Sequence, residues 1–347
     1  MLFAKAALFD QMTTLDGLRC VVQTAIELEH ATIPPYLTAL YSLTDQASDE
    51  IRKRIRSIMI EEMLHMTIAC NLLNAIGGKP NLAKAGFIPN YPTSLPGTVE
   101  TELIVPIRSF SLELVHDVFM TIEEPEEPKP FPVKPLALLA SAAKLTIGQF
   151  YRAIKAQLDA LGDGIFTGDP KLQVAFRGIF SGKIASRGEA KAALDVIVGQ
   201  GEGTDASPLD PTSPGALKDN FAHFYKFAEI VHQRKLVPDA NPTGFAFAGD
   251  VIPFNQDKDV NVTLDTPKRQ TYVQLGEQEA LNKCDDFNKA YTQLLNGLHA
   301  AFNGNPDSID DLVDTDMSVL AVLARDLMAT SLKNKKGFNA APTFELQ

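Results

Sequence analysis

Apolar residues recur at helical spacing along much of the chain, and this pattern predicts long helices separated by irregular segments. The first helix covers residues 14–43 and contains Pro34-Pro35, where a missing backbone donor predicts a kink or a short break. The second helix begins after Ser48, and Gly77-Gly78 ends it. Two long helices joined by a short link predict an antiparallel hairpin.

Beyond the hairpin, helical and irregular segments alternate. Irregular segments are predicted at 79–110, with a short strand at 101–107, and at 123–135, 162–214 and 237–267. Helical segments are predicted at 111–122, 136–161, 171–180, 186–198, 214–235, 275–302 and 308–331. We therefore expect a mainly α protein with two parts: a helical bundle in residues 1–235, with insertions at 79–135 and 162–214, and a loop and strand segment plus a C-terminal helical hairpin, packed on the bundle, in 236–347.

Composition and charge exclude several classes of protein. Asp plus Glu number 43 against 32 Lys plus Arg, for a net charge of -11, and no segment concentrates basic residues, so nucleic acid is not expected as a partner. No apolar run is long enough to cross a bilayer, and no membrane partner is expected. No secretory signal is visible. Cys20, Cys70 and Cys284 are far apart, and we expect three reduced, buried thiols in a cytoplasmic protein.

The second predicted helix carries a Glu-x-x-His step, Glu62 to His65, whose two side chains project from one face and can reach one metal ion. Glu62 is in register with the apolar stripe of that helix, where an ionised carboxylate without a partner is costly. A metal ion, an ion pair or a raised pKa must compensate for it. Glu29 interrupts the stripe of the first helix at a similar depth. The adjacent His30 is better placed to hydrogen-bond a ligand than to be one.

The fourth long helix offers a second Glu-x-x-His, Glu229 to His232, beside His223 and Tyr225. Dinuclear iron or manganese bundles use a Glu from each of two helices and a Glu-x-x-His from each of the other two. Three helices supply this set, whereas the third long helix has Gln149 where the fourth carboxylate is expected. A single Glu-x-x-His also occurs in helices without metal, and His223 and His232 could equally be surface or satisfied interior histidines. The segment 200–203 (QGEG) lacks the lysine of a phosphate loop and is best interpreted as a flexible turn.

These motifs resemble those of a known family. Residues 25–37 (AIELEHATIPPYL), 61–65 (EEMLH) and 71–78 (NLLNAIGG) are similar to the ferritin-like family that includes the carboxy-terminal part of the iminophenyl-pyruvate dimer synthases of violacein and rebeccamycin biosynthesis. The similarity continues through 146–151, 200–203 and 223–227 and covers the chain from about 14 to 235. In the family pattern, position 149 holds Glu, and relatives place a Glu-x-x-His at 220–223, where this chain has Asn220.

The resemblance implies a ferritin-like four-helix bundle with long insertions and extra C-terminal helices. It implies iron as the cofactor, as one or two ions, with manganese or zinc as alternatives, and an oxidoreductase that acts on a small organic substrate with O2. The candidate metal ligands are Glu29, Glu62, His65, Glu229 and His232, and the additional candidates are His30, Gln149, His223, Glu202 and Tyr225. The alternative is a non-catalytic binding or assembly protein with a degenerate metal site, which Gln149 and Asn220 favour. Self-association into a homo-oligomer is compatible with the sequence.

Overall fold

A computed structural model describes residues 12–98, 102–125, 146–203, 207–211, 220–240 and 244–347. The helices are α1 (Leu15–Ser42), α2 (Asp49–Ala75), α3 (Leu112–Leu114, continued by the π-helical turn Val115–Phe119 and by Met120–Ile122), α4 (Ile147–Leu161), α5 (Arg187–Gly201), α6 (His223–His232), α7 (Gln256–Asp259), α8 (Arg269–Leu275), α9 (Gln278–Phe302) and α10 (Ile309–Asp311, continued by the π-helical turn Leu312–Asp316 and by Met317–Met328). Short 3-10 turns occur at Pro96–Thr98, Asp163–Ile165, Pro170–Leu172 and Pro306–Ser308. The strands β1 (Val237–Pro238) and β2 (Phe245–Ala246) form an antiparallel pair.

The predicted hairpin of two long helices is confirmed, and local signals set its ends. Thr14 caps α1 by accepting a hydrogen bond from the Gly17 amide at 3.1 Å, and Ser48 caps α2 by accepting one from the Glu50 amide at 3.3 Å. Gly77, at φ 72, ends α2 in the left-handed region that glycine adopts without strain. The apolar faces of α1 and α2 then pack against each other along their length.

The prolines within α1 do not break the helix: of the two expected outcomes, a kink or a short break, the break is wrong, since α1 is continuous from Leu15 to Ser42. Pro35 cannot donate to the carbonyl of Ala31, four residues earlier in the helix. The hydroxyl of Tyr91 donates to that carbonyl instead, at 2.8 Å. The insertion that carries Tyr91 therefore satisfies the backbone group that proline leaves without a helical partner.

The remaining helices cover both sides of the α1–α2 pair. Helix α4 packs against α1 and α5, α5 also packs against α2, and α6 packs against α2 and α3. On another side α9 and α10 form an antiparallel pair, in which α10 contacts α1 and α9 contacts α2. Within the described part of the chain, no helix combines the length and the apolar character that a bilayer crossing needs.

The inner face predicted for the third long helix is wrong. Only Ile147–Leu161 is a described helix, and residues 136–145 of the prediction lie outside the described residues. Its buried side chains include Tyr151, Ile154 and Leu158, whereas Ala156 and Ala160 of the predicted stripe are exposed. The larger side chains remove more apolar surface from water than alanines do, so they determine which face turns inward.

Other elements are shorter than predicted. The fourth long helix begins at His223, and residues 214–219 of its predicted start lie outside the described residues. The predicted strand at 101–107 is reduced to one bridge between Thr93 and Val105. The predicted helix at 171–180 contains the 3-10 turn Pro170–Leu172 and a bridge between Phe176 and Phe180.

The cysteines differ in exposure. Cys70 and Cys284 are buried, as expected, but Cys20 is exposed on the outer face of α1, so the prediction of three buried thiols is wrong for this residue. Burial raises the pKa of the Cys70 thiol well above its ordinary value, which keeps it protonated and unreactive.

Candidate metal centre

Five side chains converge in the interior of the bundle. Glu29 from α1 and Glu62 and His65 from α2 form one group whose ligating atoms all lie within 4.8 Å of one another. Glu62 also belongs to a second group of the same compactness, with Glu123, which directly follows α3, and His223, the first residue of α6. Each of the five is at most 4% exposed. Glu62 is therefore the residue common to two adjacent sets of potential ligands.

Each carboxylate is oriented by one hydroxyl group. Tyr151 from α4 donates to Oε1 of Glu29, Thr32 donates to Oε2 of Glu62 at 2.9 Å, and Tyr36 donates to Oε1 of Glu123 at 2.7 Å. One oxygen of each carboxylate is thus held, and the other faces an imidazole nitrogen. These contacts are Glu29 Oε2 to His65 Nδ1 at 3.5 Å, Glu62 Oε1 to His223 Nδ1 at 2.9 Å and to His65 Nδ1 at 3.8 Å, and Glu123 Oε2 to His223 Nδ1 at 3.5 Å.

The two histidines turn the same nitrogen toward the carboxylates. Nε2 of His65 donates to the amide oxygen of Gln200 at 2.9 Å, and Nε2 of His223 donates to Oε2 of Glu61 at 2.9 Å. When the imidazoles are neutral, these outward bonds place the lone pair on Nδ1, which is the atom that faces the cluster. The rings stack with their centroids 5.4 Å apart. Nδ1 of His223 has no hydrogen-bond partner of acceptable geometry among the described residues, although it is fully buried.

Protons offset the negative charge of the metal-free cluster. Burial and, to a smaller extent, the neighbouring Glu123 carboxylate raise the pKa of Glu62, the two histidines oppose the rise, and the net pKa is about 7. Burial disfavours the charged form of both imidazoles. The surrounding carboxylates outweigh burial and raise the pKa of His65 above its ordinary value and that of His223 well above it. Glu62 and the two histidines thus favour protonation in the absence of metal, and cations can occupy the site in place of these protons.

Charges outside the cluster keep Glu61 ionised. Burial alone would raise the pKa of Glu61, but hydrogen bonds from His223 and Lys226 lower it to about 2. Lys226, itself only 4% exposed, donates to Oε2 of Glu61 at 2.6 Å. Glu61 therefore acts as a fixed acceptor that holds the orientation of the His223 ring. The sequence analysis did not single out Glu61 as a site residue.

The second Glu-x-x-His is not part of the cluster, and the structure contradicts its prediction as a ligand pair. Oε2 of Glu229 accepts a hydrogen bond from Nε of Arg54 at 2.6 Å, and Oε1 accepts one from the Leu236 amide at 2.7 Å. The ring of His232 packs against Phe247 with centroids 4.2 Å apart. An arginine, rather than a metal ion, compensates this buried carboxylate.

Gln149 is also not at the cluster. It is the third residue of α4, where it forms a capping box with Thr146: the Gln149 amide donates to the Thr146 hydroxyl, and the Gln149 side chain accepts from the Thr146 amide. The side chain that α4 sends to the cluster is Tyr151, two residues later. Asn220 occupies the position of the acid in the family pattern. Its Nδ2 lies 3.5 Å from Oε1 of Glu61 and 3.3 Å from Oδ2 of Asp210.

His30 and Tyr225, two further candidates, belong to other parts of the core. His30 was expected to hydrogen-bond a ligand, but its Nε2 is 2.6 Å from the hydroxyl of Tyr291 on α9. Burial lowers the pKa of His30 to about 3, so the ring is neutral. Tyr225 packs edge-on against Phe224, with centroids 5.1 Å apart, and belongs to neither group of potential ligands.

The segment 200–203, interpreted from the sequence as a flexible turn, is instead the C-terminal end of α5 packed on the site. Gln200 receives the hydrogen bond of His65, and Gly201 lies so close to Glu123 that a Cβ atom would be 3.4 Å from its Oε2. Glu202 accepts a hydrogen bond from the Gly148 amide at 2.7 Å, in the first turn of α4, where a carboxylate is favourable. Glu202 thus anchors a helix and is not in either group of potential ligands.

Glu123 is a potential ligand that the sequence did not predict. It was assigned to the start of the irregular segment 123–135. Glu123 lies four residues after Phe119, however, and so continues the apolar stripe of α3 that includes Val115 and Ile122. A carboxylate in register with an apolar stripe is the same signal that identified Glu29 and Glu62.

The donor set fits a transition metal. Carboxylate oxygens and imidazole nitrogens in a bundle interior are the ligands of dinuclear iron and manganese centres. The buried Nδ1 of His223, which has no well-aligned partner in the described structure, is the atom that a metal ion would satisfy. The arrangement can therefore hold one ion between Glu29, Glu62 and His65 and a second ion between Glu62, Glu123 and His223.

Comparisons with known proteins agree with this architecture. The ferritin-like family model matches residues 22–232. A solved structure described as a ferritin-like protein from Caulobacter vibrioides is similar in fold, with a TM-score of 0.62 and 22% identity, over 96% of this chain and 99% of that one. A search of curated proteins finds no match. All five residues of the cluster lie within the matched region, and the chain belongs to the ferritin-like family.

Proposed function

We propose that this protein binds two iron ions and acts as an O2-dependent oxidoreductase on a small organic substrate. The observation that carries the proposal is that Glu62 is shared between two three-residue groups of potential ligands. A shared carboxylate can bridge two metal ions, which a single group with an isolated Glu-x-x-His could not do. The charge of three carboxylates and two neutral imidazoles suits two divalent cations with one added anion, such as hydroxide.

Bound iron would supply the redox chemistry with O2, since open positions at such a centre accept a further ligand. The surrounding residues would hold this centre in place and keep bulk water away from it. Tyr151, Thr32 and Tyr36 fix the three carboxylates, and Gln200 and Glu61 fix the two rings. Manganese and zinc share the donor set; O2 chemistry requires a redox-active ion, which excludes zinc, and the family resemblance favours iron over manganese.

The resemblance to iminophenyl-pyruvate dimer synthases supports a small organic substrate, and a reducing compartment such as the cytoplasm would keep the exposed Cys20 unpaired. The competing proposal is a binding or assembly protein without catalysis. Asn220 supports this alternative, since it replaces the acid of the family pattern and is directed at Glu61 and Asp210. Glu123 opposes it, because it supplies a carboxylate to the second group.

Metal content is the direct test. Protein loaded anaerobically with ferrous iron and desalted should retain about two ions per chain, measured by elemental analysis. Glu62→Gln should lose both ions, because both groups contain this residue. Glu229→Gln is the matched control, since it makes the same change in the other Glu-x-x-His, which is held by Arg54. Equal metal content in the two variants would refute the assignment of the site.

O2 consumption separates the two proposed functions. The iron-loaded wild type should consume O2 in the presence of a reductant faster than an equal concentration of free ferrous iron, and Glu123→Gln should slow it. Protein that binds two ions tightly and consumes no O2 would support the binding or assembly function. Protein that binds no iron, while circular dichroism shows a folded helical bundle, would exclude both metal-based proposals.

A further inference from the structure

A cavity lies between the α1–α2 pair and the C-terminal helices, and none of the five cluster residues lines it. It has two adjoining compartments, which we call the inner chamber and the vestibule. The inner chamber is narrow, with a volume of about 40 Å³, and its walls are mainly apolar: Ile33, Leu37, Met66, Leu294, Leu298 and Ile309 are representative. Its polar side chains are His30, Thr67 and Tyr291. The chamber has roughly three times the space that one water needs, which suits the end of one alkyl chain and leaves no room for a second chain.

The vestibule is wider, with a volume of about 460 Å³, and it opens to solvent. Four residues, Met63, Phe176, Val313 and Met317, line both compartments, so the vestibule and the inner chamber adjoin at these side chains, and we call this junction the passage. On α2, Arg56 of the vestibule and Thr67 of the chamber are about 16 Å apart along the helix axis.

The rim of the vestibule is positively charged although the protein is acidic. Its lining contains five cationic side chains, Arg52, Lys53, Arg56, Arg177 and Arg325, against two carboxylates, Asp49 and Asp314. Asp314 pairs with Arg177 at 2.6 Å, and Asp49 is 4.0 Å from Arg52. Among the described residues, no carboxylate lies within ion-pair distance of Lys53, Arg56 or Arg325. Unpaired cations at the mouth of an apolar cavity attract an anionic group.

Helices α9 and α10 close the cavity, and both lie beyond residue 232, where the match to the family model ends. The π-helical turn of α10 contributes Val313 to the passage and Asp314 to the rim. Such turns frequently mark functional sites within helices. At the inner end, Nδ1 of the buried His30 has no hydrogen-bond partner among the described residues.

We propose that this cavity is a second ligand site, which binds an organic acid with a single unbranched alkyl chain. The carboxylate lies in the vestibule against Arg56 and Arg325, and the chain passes Val313 into the inner chamber. The narrow chamber excludes two-chain lipids and fused rings, and the cationic rim selects an anionic head group over a neutral one. The inference does not rest on metal binding, because no cluster residue lines the cavity.

Decanoate is the probe, and isothermal titration calorimetry of the full chain with a chelator present is the assay. We expect saturable binding of one decanoate per chain, and 1-decanol should bind about tenfold more weakly or worse. The double variant Arg56→Gln/Arg325→Gln should weaken decanoate binding by about tenfold. Its matched control is Lys335→Gln/Lys336→Gln, which removes two exposed cations that do not line the cavity and should leave binding unchanged.

The passage is tested separately from the rim. Val313→Phe should narrow it and weaken decanoate binding by about tenfold, and Met317→Phe should do the same if the first variant does not fold by circular dichroism. Iron content measured on the same variants should equal that of the wild type, which separates this site from the metal centre. The absence of saturable binding, equal binding of decanoate and 1-decanol, or equal loss in the lysine control would each overturn the proposal.

Discussion

Glu62→Gln should change how the stability of the metal-free protein depends on pH. Glu62 is fully buried, and its pKa is raised from an ordinary 4.5 to about 7. A raised pKa in the folded state means that the folded protein favours the protonated carboxyl group. The associated stability is fully present below pH 4.5, where the unfolded chain is also protonated, and it is lost as the pH rises toward 7.

The size of this loss follows from the shift. A difference of about 2.5 units between folded and unfolded pKa values is equivalent to roughly 3 kcal/mol of unfolding free energy. His65 and His223 also have raised pKa values, so the stability that they contribute is also lost as the pH rises, but only above their ordinary value of 6.5. Glu61 has a lowered pKa, and its contribution is lost only as the pH falls below 4.5. Between pH 4.5 and 6.5 the loss therefore comes mainly from Glu62.

Urea denaturation followed by circular dichroism, with chelator present, measures the effect at several values from pH 4.5 to pH 8. The unfolding free energy of Glu62→Gln minus that of the wild type should increase by about 3 kcal/mol across this range, because glutamine cannot ionise. This difference removes the effect of distant titrating groups, because they change the unfolding free energy of both proteins equally. Added ferrous iron should stabilise the wild type, by about 4 kcal/mol at a thousand times the dissociation constant, and should not stabilise the variant.

Glu229→Gln is the control for a buried glutamate on a neighbouring helix. It removes one of the two carboxylate partners of Arg54, which keeps Glu50 at 2.8 Å, and should lower the unfolding free energy by about 2 kcal/mol, by the same amount with and without iron. A difference between Glu62→Gln and the wild type that stays constant with pH would refute the assignment of a raised pKa to Glu62. Equal stabilisation of the wild type and Glu62→Gln by iron would refute its role as a shared ligand.

Three further predictions test the fold around the site. Tyr91→Phe should lower the unfolding free energy by about 1 to 3 kcal/mol in urea, because the Ala31 carbonyl loses its donor; an unchanged midpoint would contradict this. Gly168→Ala should lower the unfolding free energy, measured by thermal melts, by about 3 kcal/mol, because a Cβ would lie 1.7 Å from the carbonyl oxygen of Asn74 near the end of α2. Gly164→Ala is the control and should leave stability unchanged, because a Cβ there would meet nothing within 4 Å. Cys20 should react with a thiol reagent in the native protein and the two buried cysteines only after unfolding, and a native count of three reactive thiols would disprove the packing.

The sequence predicted the α1–α2 hairpin and the first group of potential ligands because the relevant signals are local. Caps and glycines fix where α1 and α2 begin and end, and helical periodicity identifies which side chains project inward. Glu29, Glu62 and His65 interrupt apolar stripes at matched depth, and antiparallel packing then brings them together. Their convergence required no information about distant segments.

The second group could not be predicted in the same way, because it depends on contacts between distant segments. Glu123 and His223 reach Glu62 only through the packing of α3 and α6 on α2. Periodicity also failed for α4, where a stripe of small residues that includes Gln149 was preferred to the larger side chains that are in fact buried. Tyr151, which reaches Glu29, was missed for that reason.

Charge balance separates the two Glu-x-x-His pairs, which are equivalent as sequence patterns. Arg54, which is distant in sequence, lies beside Glu229 and offsets the charge of its carboxylate. Around Glu62 the neighbouring charges are two more carboxylates and two histidines, and no lysine or arginine contacts Glu29, Glu62 or Glu123 in the described part of the chain. Buried negative charge without a fixed cation must recruit protons or metal ions. A buried glutamate in such a bundle thus indicates a metal site when several acids converge and no arginine reaches them.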